Sequence, residues 1–370
     1  MQTQKSMDIV ERNKDIEHIM LASCRYGVHY LGEWNQDKLF SMLVTTDLHR
    51  CGAQLSSALQ YLHHYDALDC GICLGDIQGA NHNEQYGTWY TDIVQTSKKP
   101  FFTVVGNHDV WRAPNETAPI TQKMAVEKYI RPVAVQIGIE DLQTPYYVKT
   151  FDEYKIALVV LCYYDAPNDD ENAQLLELFS QKQIDWLVQT LQAIPKEYHL
   201  LIAMHDFSYK TRVILDDWTQ PDWSYDKRPF TAEDSERNLL TDIVQAWIEG
   251  GVLRKTYSEQ TEGVSNVTVD CDFSTRGKGD FICYLLGHMH KDILAVCDKY
   301  PNQRLVYCPS SAYDAWQNKF SDLPRTAGTK SEDCLTVFSV DTQKRKIRLV
   351  RVGSNITVDM TERTYKVLDY

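Results

Sequence analysis

Residues 39–49 read LFSMLVTTDLH: a nearly uninterrupted apolar run, Leu39 to Thr46, that stops at Asp47-Leu48-His49. An amphipathic helix would show a polar gap every three or four residues, so a run this continuous suits a strand buried on both faces. The pattern recurs. Cys70 to Leu74 (CGICL) stops at Gly75-Asp76, and Phe101 to Val105 (FFTVV) stops at Gly106-Asn107-His108-Asp109. Leu200 to Met204 (LLIAM) stops at His205, and Phe281 to Leu286 (FICYLL) stops at Gly287-His288-Met289-His290. A further run, Lys155 to Cys162 (KIALVVLC), ends at Tyr163-Tyr164-Asp165. Polar clusters thus fall at the carboxyl ends of buried strands, the edge where open α/β sheets place their ligands.

Helical segments alternate with these runs. Ser180 to Ile194 carries Ile184, Leu187, Val188 and Leu191 at helical spacing and stops at Pro195. Thr231 to Gly251 opens on a capping box, Thr231 to Asp234, and closes on Gly250-Gly251. Residues 8 to 21 read as another helix. The alternation predicts a layered α/β domain. Cys334 to Val340 and Lys346 to Val352 alternate in strand fashion about a polar turn and predict a hairpin that completes a sheet. The whole chain, 1–370, reads as one domain with an N-terminal helical extension (about 1–37), an aromatic insertion (about 207–280) and the C-terminal β-hairpin (about 334–352). Within the insertion, Asp216 to Phe230 (DDWTQPDWSYDKRPF) is too irregular for one element; loops so rich in Trp and Tyr usually cap a site or form a contact surface.

Composition narrows the class. With 43% hydrophobic and 24% charged residues the chain is an ordinary globular protein able to bury a large core, and no stretch approaches a membrane helix. The polar N-terminus, MQTQKSMDIVERNKD, lacks a secretory core, which makes the cytoplasm the simplest compartment. A net charge of −13 gives no broad basic surface for a polyanion, which makes a long nucleic acid a less natural partner. The ten cysteines include Cys70-x-x-Cys73, but that pair lies inside a core run with no second pair at zinc spacing, so buried thiols are expected.

The clusters carry the chemistry. Five of them at strand ends make a two-metal hydrolytic site the best single explanation. Asp47 and His49 are two apart, so an extended backbone would turn both to one face to hold one ion, and His288 and His290 share that spacing. Two ions about 3.5–4 Å apart need a bridging anion, which a carboxylate such as Asp76 supplies, while Asn107 adds a neutral oxygen. Imidazole, carboxylate and amide together suit manganese, iron or zinc better than calcium. His63 and His199 read as surface or hydrogen-bonded histidines. Arg50, His82, Tyr164, Tyr209 and Lys210 read as solvated loop residues near the site, and Met289 as packing. Asp109 is either a partner to a ligand or a loop acid.

Taken in order, D-x-H, GD, GNH(D/E), H and GHxH from Asp47 to His290 resemble the calcineurin-like metallophosphoesterase superfamily. The resemblance implies a fold of two mixed β-sheets packed face to face and flanked by helices. It further implies that Asp47, His49, Asp76 and His290 hold one metal and Asp76, Asn107, His205 and His288 the other, with His108 serving the reaction rather than a metal. The implied activity is hydrolysis of a phosphate mono- or diester by direct attack of a metal-bridging hydroxide, with two divalent or trivalent first-row ions and no phosphoenzyme. A metal-dependent nuclease and a catalytically silent metal-binding interaction protein are the alternatives. Two branches fit poorly. Gly75-Asp76 continues as Ile77-Gln78-Gly79-Ala80, without the phosphate-gripping arginine of protein Ser/Thr phosphatases, and Gly79 stands where purple acid phosphatases have a tyrosine ligand.

Overall fold

The computed structural model describes residues 8–26, 37–79, 88–110, 121–170, 176–207, 213–215, 238–257, 266–313, 325–353 and 365–370. All five apolar runs that end in polar clusters form strands: Phe40–Thr45, Cys70–Cys73, Phe101–Thr103, His199–Ala203 and Asp280–Leu286. Side chains in these strands are buried on both faces almost throughout, as their continuous hydrophobicity requires. Each Val, Leu, Ile or Phe enclosed in this way contributes about 1.5–3 kcal/mol relative to an exposed one.

Among the described residues the strands form two large mixed sheets. One has six strands in the spatial order Tyr365–Asp369, Lys346–Gly353, Cys334–Asp341, Phe40–Thr45, Cys70–Cys73, Phe101–Thr103. Its last three are parallel, and the expected hairpin, Cys334–Asp341 with Lys346–Gly353, joins them antiparallel to Phe40–Thr45. The other has seven strands, with Ile156–Val160, His199–Ala203, Asp280–Leu286 and Arg304–Tyr307 running parallel at its centre. Packing between the sheets is direct. Phe151 on the edge strand Tyr147–Phe151 meets Phe40 at 4.6 Å and Phe102 at 5.9 Å between ring centroids. Nearby, the Tyr147 hydroxyl donates to the Thr103 carbonyl at 2.9 Å.

Helices cover the sandwich. Gln181–Ala193 begins where expected, with Ser180 Oγ accepting from the Gln183 N–H at 3.1 Å, and buries Ile184, Leu187, Val188 and Leu191. Leu239–Glu249 stops at Gly250 in the left-handed region, φ 63°, and seats the buried Trp247, whose indole N–H donates to the Leu191 carbonyl at 3.1 Å. The helix starts at Leu239 rather than Thr231, and the capping box expected at 231–234 lies outside the described residues. Residues 8–21 do not form one helix. They break into Ile9–Arg12, a 3-10 turn at Lys14–Ile16 and Glu17–Ser23. The break follows from a tertiary contact: Arg12 and Asn13 both reach the buried Asp333 carboxylate, at 2.8 and 3.0 Å, and fix the backbone there. The ten cysteines are free thiols, nine of them buried.

Candidate metal centre

Three of the parallel strands in one sheet and two in the other end at the same edge, so the five polar clusters meet across the slit between the sheets. Asp47, His49, Asp76 and Asn107 come from the six-stranded sheet and His205, His288 and His290 from the seven-stranded one. Short backbone bonds zip the loops together: Asp47 N–H to the Gly75 carbonyl at 2.9 Å, His49 N–H to Asp76 at 3.0 Å, and Gly287 N–H to His205 at 2.9 Å. Gly75, with φ 98°, permits this closeness, since a Cβ there would stand 2.7 Å from His205 Nδ1 and 2.8 Å from the Gly106 nitrogen.

The backbone at the site is not extended. Asp47, His49, Asp76, His288 and His290 all lie in the left-handed region, at φ 49°, 43°, 52°, 65° and 57°. Asp47 and His49 do converge, but through a left-handed turn after the strand ends at Thr45 and not through strand alternation. His288 and His290 share the same spacing yet face different groups. His290 Nε2 stands 3.2 Å from Asp47 Oδ1, whereas His288 Nδ1 stands 3.0 Å from Asn107 Oδ1.

Two donor groups result, Asp47, His49, Asp76 and His290 in one and Asp76, His205 and His288 in the other, with Asp76 in both. Asn107 Oδ1 joins the second, 3.1 Å from His205 Nε2. Outward-facing nitrogens are held in place from behind. His205 Nδ1–H donates to the Leu74 carbonyl at 2.7 Å and His49 Nδ1–H to the Gln78 carbonyl at 3.2 Å, which leaves each Nε2 lone pair turned to the site.

This donor set fits a pair of first-row cations. Bonds of about 2.0–2.2 Å put neighbouring donor atoms about 2.8–3.6 Å apart, from octahedral to tetrahedral angles. Facing atoms here stand 3.1 Å apart for His49 Nε2 and His290 Nε2, and 3.3 Å apart for His205 Nε2 and Asp76 Oδ1. Asp47 Oδ1 is fully buried and faces ring nitrogens, with His290 Nε2 at 3.2 Å and His205 Nε2 at 4.0 Å. Burial pushes the Asp47 carboxyl up, but His290 and His205 outweigh it and hold it at about 2. Burial presses His205 toward neutrality, yet Asp76 and Asp47 raise it to about 10. His49, dominated by burial, falls to about 4. Two buried carboxylates thus demand a counter-charge, which cations would supply while freeing the imidazole lone pairs.

His108 belongs to neither group. Its backbone N–H donates to Asp76 Oδ1 at 2.8 Å, its ring stands edge-on to His49 at 4.9 Å, and Nε2 lies 3.9 Å from Asp76 Oδ2. Asp109 is a brace below the site, accepting from the Gly106 N–H at 2.8 Å and the Gln78 N–H at 3.0 Å. Asp165 is buried away from the donor groups and ties the Gln183 and Gln122 amides to the Ser180 N–H. His63 accepts from the Lys98 N–H, and His199 meets the Tyr370 hydroxyl. His82, Tyr209, Lys210 and the aromatic stretch 216–230 lie outside the described residues.

Two neighbours escaped the sequence reading. Asp206, buried, places Oδ2 3.7 Å from His288 Nε2, and Ser310 Oγ donates to the Asp47 carbonyl at 2.9 Å. The acid directly after His205 was a visible signal, and Leu305 to Tyr307 is a short apolar run ending in Cys-Pro-Ser-Ser, the recurrent pattern in miniature.

Comparisons with known proteins bear on the same residues. The family model for calcineurin-like phosphoesterases matches residues 40–292. No curated protein matches the chain. Among solved structures, the chain is similar to TT1561 of Thermus thermophilus, at 9% identity and a TM-score of 0.39, covering 90% of this chain and 99% of that one. It is also similar to phosphopantetheinyl hydrolase (PptH) from Mycobacterium tuberculosis, at 12% identity and a TM-score of 0.38, covering 77% and 93%. Sequence motifs, strand-end geometry and the matched family model coincide over the same residues, and the chain belongs to the calcineurin-like phosphoesterase family.

Proposed function

We propose that the chain is a metal-dependent hydrolase of a phosphate mono- or diester, with Asp47, His49, Asp76 and His290 holding one ion and Asp76, Asn107, His205 and His288 the other. The observation that carries this reading is Asp76, a single buried carboxylate shared by both donor groups. Mixed nitrogen and oxygen donors favour manganese, iron or zinc. When bound, such a pair supplies Lewis acidity toward the phosphoryl oxygens and makes a water acidic enough to attack phosphorus.

The chain's own share is orientation and proton transfer. Leu74 and Gln78 carbonyls fix the tautomers of His205 and His49. His108, 18% exposed at its side chain and beside the donor set, protonates the leaving oxygen. The substrate we favour is a small phosphorylated molecule, in keeping with the net charge of −13. We treat the chain as one domain. The C-terminal hairpin pairs directly with the strand that leads to Asp47, and Arg12 of the N-terminal extension pairs with Asp333 beside that hairpin.

The test is reconstitution with manganese, iron or zinc, followed by metal analysis and assay on nitrophenyl phosphate, bis-nitrophenyl phosphate and single-stranded DNA. About two ions per chain and turnover of a small ester are expected. Active protein with one tightly bound ion would sink the two-metal reading, turnover of DNA alone would make the protein a nuclease, and metal uptake without turnover would make it a silent binder.

A further inference from the structure

A charged pair with no access to water lies between the sheets, one step behind the site. Arg351, fully buried on strand Lys346–Gly353, directs its guanidinium fork at Asp292, which is 2% exposed and immediately precedes strand Ile293–Cys297 of the opposite sheet. Nε donates to Asp292 Oδ2 at 3.1 Å and a terminal nitrogen to Oδ1, while the other terminal nitrogen donates to Thr336 Oγ1. Desolvating both charges is costly, and apolar residues of similar volume would fill the space at least as stably, so stability alone does not account for the pair. What a bidentate fork adds is a fixed position and orientation.

The segment that it fixes is Gly287–Asp292. This loop carries His288 and His290 in left-handed backbone, a conformation that costs even His energy and persists where the surroundings hold it. Its near end is tied by the Gly287 N–H to His205 and by the His288 N–H to Asp47 Oδ2 at 3.1 Å. Asp292 ties the far end, two residues beyond His290. On the other side, Thr336 sits in register with both Arg351 and Val44, so the clamp is anchored in the strand that runs on to Asp47.

We infer that Arg351, through Asp292, is a positioning residue that sets His290 against Asp47 and thereby tunes the ion held by Asp47, His49, Asp76 and His290. This rests on the two-metal reading above. His288 is held by its own bond to Asp47, so the second ion should feel the clamp less.

The experiment is a chelator-competition titration of cobalt(II), read by its visible absorption, on the wild type, the double variant Arg351→Met/Asp292→Leu, and Arg351→Lys. The double variant removes both charges together, so it should fold, as circular dichroism would verify. Its affinity for one ion should fall about 10- to 100-fold, with the other little changed. Arg351→Lys keeps the charge without the fork and should show a smaller loss at the same ion; it decides the matter should the double variant not fold. Unchanged affinity in a folded variant, or equal weakening of both ions, overturns the inference. Wild-type protein that takes up fewer than two ions would instead overturn the two-metal reading.

Discussion

Gly106→Ala is the sharpest local test of how the site is built. Gly106 has an ordinary φ, so the issue is space alone. A Cβ there would overlap both the Asp76 nitrogen and Asp76 Oδ1 and would come to 3.0 Å from His205 Cγ. To regain ordinary van der Waals contact, the Asp76 carboxylate must retreat by about 1 Å. That retreat stretches the 2.8 Å bond from the His108 N–H beyond hydrogen-bonding range and moves the one carboxylate common to both donor groups. A displacement of this size near reacting groups costs about a hundredfold in rate, and disturbed support of a ligand costs about 10- to 100-fold in metal affinity. The assay pairs kcat/KM on bis-nitrophenyl phosphate with metal content after dialysis against graded chelator. Gly79→Ala is the control, because the nearest described atoms a Cβ there would meet belong to Arg50, at an ordinary 3.5–3.9 Å, and it should change neither quantity. If the Gly106 variant keeps both ions at unchanged affinity and full rate, the shared-carboxylate account is wrong.

Two further outcomes follow from other residues. His108→Ala should keep both ions yet lose roughly a hundred- to ten-thousand-fold in rate on alkyl esters, with a smaller deficit on nitrophenyl esters, whose leaving group needs no proton; equal deficits across leaving groups would reject proton donation, and loss of metal would move His108 into the donor set. Burial pushes the Asp242 carboxyl up, but hydrogen bonds from Lys299, Tyr257 and Tyr300 outweigh it and hold it below its ordinary 3.8. A depressed carboxyl contributes stability that is fully present above 3.8 and is lost as pH falls through the lower folded value. Asp242→Asn should therefore cost on the order of 2 kcal/mol at pH 7 and progressively less below pH 4, as denaturant unfolding would show; a gap independent of pH would refute it.

Much of the architecture was legible because burial on both faces leaves a coarse trace. Continuous apolar runs located the central parallel strands, and the abrupt Asp, His and Asn clusters located their carboxyl ends. What stayed hidden depended on contacts distant in sequence. Asn13 ends a helix because Asp333 lies beside it in space, which no local pattern encodes. Spacing alone did not separate His288 from His290, although the motif resemblance did; in the structure it is Asp47 and Asn107, across the slit, that sort them. Other omissions were readable. Val252–Tyr257 and Val267–Asp272 alternate in burial and pair as an antiparallel ribbon within the region read as an aromatic insertion. Period two is plain in Val267–Asp272 (VTVDCD), whereas Val252–Tyr257 (VLRKTY) shows it only in its burial.

The left-handed backbone at Asp47, His49, Asp76, His288 and His290 also bears on how such a site can change over generations. Asn, Asp and His are the residues besides glycine that most readily accept positive φ, and they are also donors that suit a first-row cation. Each position is therefore constrained twice, once by chemistry and once by conformation. A cysteine or glutamate at one of these five positions would meet a backbone that resists it, at a cost of about 1–3 kcal/mol each. The turns therefore constrain five of the seven candidate donors, while Asn107 and His205 are free of that second constraint.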